Sequence, residues 1–146
     1  MLEHFGMQTS KPVSTPLTTH FKLSSALSPQ TKEEREHMLH VPYTSVVESI
    51  MYVMACTRPY ISHAASMVSR YMDHLGKIHW QVVKWILWYL RWTSHVDLVH
   101  DKSSVIYKEI VGYVDSKYVG DLDGRRSLTG YIFTLCGSVI SWKTTL

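Results

Sequence analysis

Apolar residues recur with the period of an α-helix between residues 41 and 92. In residues 41–57 they form one stripe, which comprises Val46, Val47, Ile50, Met51 and Met54. In the next stretch they fall at positions i, i+3, i+4, i+7 and i+11, namely Ile61, Ala64, Ala65, Val68 and Met72. Residues 78–92 are apolar nearly all round. These patterns predict three helices that bury a shared core, with Gly76 ending the second helix as its C-cap.

A period of two replaces the helical period after residue 109. Residues 110–114, 129–135 and 139–142 are rich in β-branched and aromatic side chains, with Gly, Asp and Ser clusters between them. This pattern predicts an antiparallel β-meander that carries Asp115 at the end of its first strand. Residues 94–108 also have β character, and we expect a hairpin or a connector there.

The first 40 residues have neither pattern. Pro12, Pro16 and Pro29 stand among many Ser and Thr residues, which favours an extended chain. It is either a solvated linker or a strap that packs against a preceding domain. Residues 31–40 predict a short charged helix or turn, in which His37 and His40 lie on a solvated face rather than at a metal.

Composition and charge are compatible with several classes of protein. The 146 residues suit one domain, and the net charge of +3 with a pI near 8.9 permits a nucleic-acid partner without requiring one. Cys56 and Cys136 form no disulfide framework or zinc motif, so we expect an intracellular protein, cytoplasmic or nuclear. No apolar run reaches the roughly 20 residues of a membrane span, and we expect no membrane partner.

Two basic residues interrupt the aromatic third helix. Lys84 and Arg91 are seven positions apart and therefore lie on nearly the same face. The helix has three possible roles: the centre of a helical core, a basic and aromatic face along a nucleic-acid backbone, or a surface for another domain.

Several motifs together resemble one family. TRP at residues 57–59, HW at 79–80, KWIL-YL at 84–90, GYVDS at 112–116, GDLDGRRS-TGY at 120–131 and ISW at 140–142 occur in this order. The combination resembles the Pol polyprotein of copia-type LTR retrotransposons. The match falls at the C-terminal end of the reverse transcriptase and the start of RNase H. The resemblance implies a parent protein that synthesises DNA on an RNA template and cleaves RNA–DNA hybrids.

The resemblance also implies what a catalytic site would contain. RNase H of this family uses about four carboxylates to bind two Mg²⁺ ions, and GYVDS places the first carboxylate at Asp115. The polymerase metal motif and most of those carboxylates are missing from the sequence, so we expect this chain to bind no metal and to have no catalytic activity alone. Arg125 and Arg126 follow a predicted turn with Asp121 and Asp123. They either pair with those carboxylates or contact the phosphates of a hybrid.

Several residues depart from the family's pattern. Tyr60 stands where Asp is usual, Lys117 where Asp is common, Trp88 where Arg is found, and Trp92 where Gly precedes Thr93. Trading Arg for Trp at position 88 removes a charge that could meet a phosphate. These scattered departures are typical of an element copy that has decayed.

We therefore predict an α+β chain. Residues 1–40 form an extended leader, residues 41–93 a three-helix unit similar to a reverse-transcriptase thumb or connection, and residues 94–146 an incomplete RNase H-like β-meander. The expected function is that of a Pol polyprotein fragment, whose partners are RNA–DNA hybrid and the remainder of the polyprotein, with Lys84, Arg91, Arg125 and Arg126 as candidate nucleic-acid contacts. The alternative is a domesticated module that binds nucleic acid or protein without catalysis.

Overall fold

A computed structural model describes residues 1–18, 20–21, 23–73, 75–99, 109–117 and 128–145. Within these residues the chain forms four α-helices and one three-stranded sheet, so the predicted α+β class is confirmed. The helices are α1 (Lys32–Leu39), α2 (Tyr43–Thr57), α3 (Ser62–Ser69) and α4 (Lys77–Trp92). The strands are β1 (Ile110–Lys117), β2 (Leu128–Leu135) and β3 (Ser138–Thr145).

Helices α2, α3 and α4 build the hydrophobic core from the predicted stripes. Val47, Ile50 and Val68 are completely buried, as are Ile86 and Leu87 of α4. Tyr43 at the start of α2 donates a hydrogen bond from its hydroxyl to the carbonyl of Val68, at 2.8 Å, and so ties α2 to the end of α3. Burial of interlocking apolar side chains is the dominant stabilising contribution in such a unit.

The region between α3 and α4 differs from the prediction. Helix α3 ends at Ser69, and Gly76 is the N-cap of α4 instead of the C-cap of the preceding helix. The Gly76 N–H donates to Nδ1 of His79, at 3.0 Å, and the completely buried His79 ring stacks on Tyr71. The ring nitrogen of His79 at N3 therefore does what a Glu or Gln side chain does in a capping box, where it accepts the N–H of the N-cap residue, which is why residue preferences alone misplaced this boundary.

The leader packs against the helices of its own chain. Leu23 is 2 % exposed, and Phe21 meets the Trp85 ring edge-on at 5.7 Å between centroids. The Trp85 indole N–H also donates to the carbonyl of Thr15, at 2.8 Å. Thr15 and Phe21 are thus attached to α4 and Leu23 is buried, where we expected either a solvated linker or a strap for a preceding domain.

Helix α1 is the short charged helix expected for residues 31–40. Thr31 is its N-cap and accepts the N–H of Glu34 on its hydroxyl, at 3.2 Å, which satisfies one of the free donors of the first turn. His37 and His40 are exposed, as expected for a solvated face.

The sheet is an antiparallel meander in the order β1-β2-β3, as the alternating pattern predicted. Asp115 pairs with Gly130, and Gly130 pairs with Thr144. Cys136 and Gly137 connect β2 to β3 with φ angles of 50° and 77°, the positive values that a two-residue hairpin turn requires. Residues 94–99 form no strand, and the rest of the expected hairpin or connector, residues 100–108, lies outside the described residues.

Two side chains of β3 attach the sheet to the helices. The Trp142 indole N–H donates to the carbonyl of Met54 in α2, at 3.0 Å, and the hydroxyls of Thr144 and Ser62 are 2.8 Å apart. Cross-strand partners project from the same face of a sheet. The face shared by Asp115, Gly130 and Thr144 is therefore the face directed toward the helices.

Candidate functional site

Asp115 lies in the second half of β1 and is exposed. It lines an open pocket of about 280 Å³ between the sheet and the N-terminal end of α3. Ser62 and His63 contribute to the pocket from α3, and Gly130 and Thr144 contribute from the sheet. Gly130 is the cross-strand partner of Asp115 and has no side chain, so the pocket stays open beside the Asp115 carboxylate.

The residues of this pocket do not fit a two-metal centre. Its lining includes one carboxylate, Asp115, and one imidazole, His63. Two divalent ions about 4 Å apart need several shared oxygen ligands. Among the described residues no three His, Cys, Asp or Glu side chains come together. The expectation that Mg²⁺ belongs to the parent protein stays a prediction.

Helix α4 presents a basic and aromatic side opposite its buried side. The buried side consists of His79, Val82, Val83, Ile86, Leu87 and Leu90. Lys84 and Arg91 lie on the other side, both half-buried, about 10 Å apart along the helix axis. Neither forms an ion pair with any described residue. Helix α4 is thus a core helix on one side, and it carries two uncompensated cations on the other.

Helix α4 also carries aromatic side chains outside its buried side. Trp85 and Trp88 have centroids 6.0 Å apart, while Tyr89 and Trp92 stack at 6.3 Å with an angle of 30° between their planes. Tyr60 meets Tyr89 edge-on at 5.9 Å. We call Tyr60, Tyr89 and Trp92 the aromatic cluster. Trp92 is 47 % exposed and Tyr60 37 %, so two of its three rings border solvent.

Arg58 fixes one edge of the aromatic cluster. Its guanidinium donates to the Tyr60 hydroxyl and to the carbonyl of Val96, and it lies 5.9 Å from the Tyr60 ring centroid. Burial raises the pKa of Tyr89, and Tyr60 adds to this rise while Arg58 opposes it. The sequence pattern pointed to Lys84 and Arg91 but not to Arg58. Arg58 stands in an Arg-Pro-Tyr sequence at the start of a helix, and that sequence does not reveal that Tyr60 packs against α4.

The remaining candidate residues lie outside the described part of the chain. These are Asp121, Asp123, Arg125 and Arg126. Whether the arginines pair with those aspartates or contact phosphates stays a prediction. No described helix is long and apolar enough to cross a membrane.

Comparison with known proteins places the chain in a family. It is 51% identical over all 146 residues to the retrovirus-related Pol polyprotein from transposon TNT 1-94 of Nicotiana tabacum, covering 11% of that protein. It is 32% identical over 144 residues to the Pol polyprotein from transposon RE2 of Arabidopsis thaliana, covering 9% of that protein. The chain therefore spans about a tenth of the length of these polyproteins.

A shorter relative also matches. The chain is 37% identical over 107 residues to secreted RxLR effector protein 161 of Plasmopara viticola, covering 73% of this chain and 74% of that protein. No family model and no solved structure matches the chain.

The chain combines helices with a sheet, and transposon proteins match it over its full length. It therefore belongs to the Pol polyproteins of retrotransposons. More specifically, it belongs to the copia-type Pol polyprotein family, as its motifs indicated.

Proposed function

We propose that this chain is the part of a copia-type Pol polyprotein that joins the end of the reverse transcriptase to the start of RNase H. Helices α2 to α4 then correspond to the thumb or connection, and the meander corresponds to the first strands of an RNase H-like sheet. The family motifs support this proposal because they follow the family order through both regions. The parent protein would act in RNA-templated DNA synthesis and in cleavage of RNA–DNA hybrids.

We also propose that this chain alone has no catalytic activity. The observation that carries this proposal is the single carboxylate in the pocket between the sheet and α3. Asp115 would be one ligand of a metal site whose other ligands come from outside the described residues. Its exposure and its position opposite Gly130 leave room for such ligands to approach.

A hybrid-cleavage assay tests the absence of activity. The chain is incubated with a labelled RNA–DNA hybrid, with and without Mg²⁺, beside an Asp115→Asn variant. We expect equal, background levels of cleavage in all four samples. Turnover that requires Mg²⁺ and is lost in Asp115→Asn would show that the chain completes a metal site, and inactivity would be refuted.

In the parent protein, Lys84 and Arg91 would contact the phosphate backbone. Their positive charges have no carboxylate partner among the described residues, and they follow one helix face. A salt titration of hybrid binding tests this: we expect the Lys84→Ala/Arg91→Ala double variant to lower the slope of log K against log salt by about two. Lys32→Ala/Arg35→Ala, which removes the same charge from α1, serves as the matched control and should leave the slope closer to that of the unmodified chain.

A second candidate function is an independent binding module without catalysis. The similarity to the shorter effector protein favours it, because that relative matches over most of its own length. The two functions differ in how strongly the chain binds when it is alone. Strong, steeply salt-dependent binding supports the module, whereas weak binding supports a fragment that needs the rest of the polyprotein.

A further inference from the structure

We propose that the aromatic cluster, together with Arg58, is a stacking site for the unpaired bases of a single-stranded nucleic acid. The proposal rests on the nucleic-acid contact proposed above for Lys84 and Arg91. It adds a second surface, which prefers single-stranded over duplex nucleic acid. The basic pair Lys84 and Arg91 would follow a backbone in duplex or single-stranded form. The aromatic cluster would bind bases only where they are not paired.

The geometry of the rings supports stacking on an outer face. Tyr89 and Trp92 are already in contact, with 6.3 Å between centroids, so no base can enter between them. Trp92 is 47 % exposed, so a base can reach this side chain from solvent. Tyr89 stacks on Trp92 and Tyr60 packs edge-on against Tyr89, which restricts the orientation of the Trp92 ring. A pre-oriented ring loses little conformational freedom when a base stacks on it.

The charges favour a polyanion over a cation at this site. Three aromatic side chains could also enclose a quaternary ammonium group. Here, however, the Arg58 guanidinium occupies one edge of the cluster. Arg58 forms no ion pair with a described residue. An uncompensated cation beside exposed aromatic rings matches a phosphate joined to a base.

Fluorescence anisotropy on the full chain tests the proposal. The probes are a labelled oligodeoxythymidine, a duplex DNA and an RNA–DNA hybrid of equal length. We expect the single strand to bind more tightly than either duplex form. Trp92→Ala should weaken single-strand binding about tenfold while leaving hybrid binding nearly unchanged, because one base loses its stacking partner. Trp92→Phe should restore most of the affinity, since it retains an aromatic face.

Two controls make the result decisive. The circular dichroism spectrum of Trp92→Ala should match that of the unmodified chain. Tyr52→Ala removes an exposed aromatic side chain outside the cluster, and this substitution should not change binding. Equal affinity for all three probes, or no effect of Trp92→Ala, would overturn the stacking site. Hybrid binding that still depends on Lys84 would then leave the proposed function intact. Self-association lost in Trp92→Ala, without single-strand binding, would instead assign the cluster to a protein interface and also overturn the proposal.

Discussion

The helical unit and the sheet of this chain differ in how deeply they bury their apolar side chains. In α2, α3 and α4, Ile50, Val68 and Leu87 are fully buried. In the sheet, Val114 is 80 % exposed and Ile110 is 64 % exposed, although both are good strand residues. The helices therefore stabilise one another through a common core. The sheet depends on its backbone hydrogen bonds and on the attachment of β3 to the helices.

This difference separates folding from function in the chain. Side chains that hold the fold lie between the helices, where a substitution changes stability. Side chains of the candidate sites lie at the edge of that core: Asp115 in the sheet, and Trp92 at the end of α4. A substitution at these edge positions should change binding or chemistry while the helical unit stays folded.

The largest expected effect comes from the helical core. Leu87→Ala removes a fully buried side chain and leaves a cavity, which should lower the free energy of unfolding by about 2–5 kcal/mol. Val114→Ala in the exposed part of β1 should change it by less than about 0.5 kcal/mol. Urea denaturation followed by tryptophan fluorescence measures both. Similar losses in the two variants would show that the sheet contributes as much core as the helices.

The next effect concerns the join between the leader and α4. A Cβ added at Gly76 would overlap the backbone carbonyl oxygen of Leu27, which cannot move without displacing the leader. Gly76→Ala should therefore destabilise the chain by about 1–3 kcal/mol.

Gly130→Ala is the matched control in the sheet. A Cβ there would meet its nearest neighbour, the Lys143 carbonyl, at 3.4 Å, an ordinary contact. Thermal unfolding of the two variants makes the comparison. A smaller loss for Gly76→Ala than for Gly130→Ala would mean that the leader is loosely held.

The fold was more predictable from the sequence than the site was. Helical and strand periods are local properties, so the stripes in α2 and α3 and the alternation in β2 were sufficient to predict the elements. The family motifs were equally local and predicted the family correctly. The N-cap role of Gly76 could not be predicted, because it depends on the buried ring of His79 and on the approach of Leu27.

The candidate site depends on contacts between distant residues. Tyr60 and Trp92 are 32 positions apart, and only the packing of the turn before α3 against α4 brings both into contact with Tyr89. Asp115 could be located on its strand from the sequence. The other residues of its pocket could not be predicted, because they depend on the sheet register and on the position of α3. These residues include one imidazole and no other carboxylate.

A smaller effect should appear at alkaline pH. Burial, and to a lesser extent Tyr71, raises the pKa of Tyr43 well above its ordinary value of 10.0, so the folded chain keeps a proton that the unfolded chain releases. Stability is then unaffected below about pH 10 and falls as pH rises above it, by at most about 1.4 kcal/mol per pH unit for one proton.

Substituting Tyr43 isolates this contribution. Tyr43→Phe loses the hydrogen bond to Val68 at every pH, but its stability should fall less steeply above pH 10. Tyr52→Phe, at an exposed position of the same helix, should keep the steep decline. Chemical denaturation between pH 8 and 11 measures the slopes, and equal slopes in all three proteins would contradict a buried, protonated Tyr43.

The smallest effect should be confined to the attachment of the sheet. Trp142→Phe keeps an aromatic ring on β3 but removes the indole N–H that donates to the carbonyl of Met54, a loss of about 1 kcal/mol. Because this contact joins the two regions, the loss should appear as faster amide exchange in β3, with α2 and α4 nearly unchanged. Trp92→Phe removes an indole N–H at the end of α4 and should leave exchange in β3 unaltered. If Trp142→Phe instead accelerated exchange equally in helices and strands, the two regions would unfold as one unit, and the division between a self-sufficient helical core and an attached sheet would not hold.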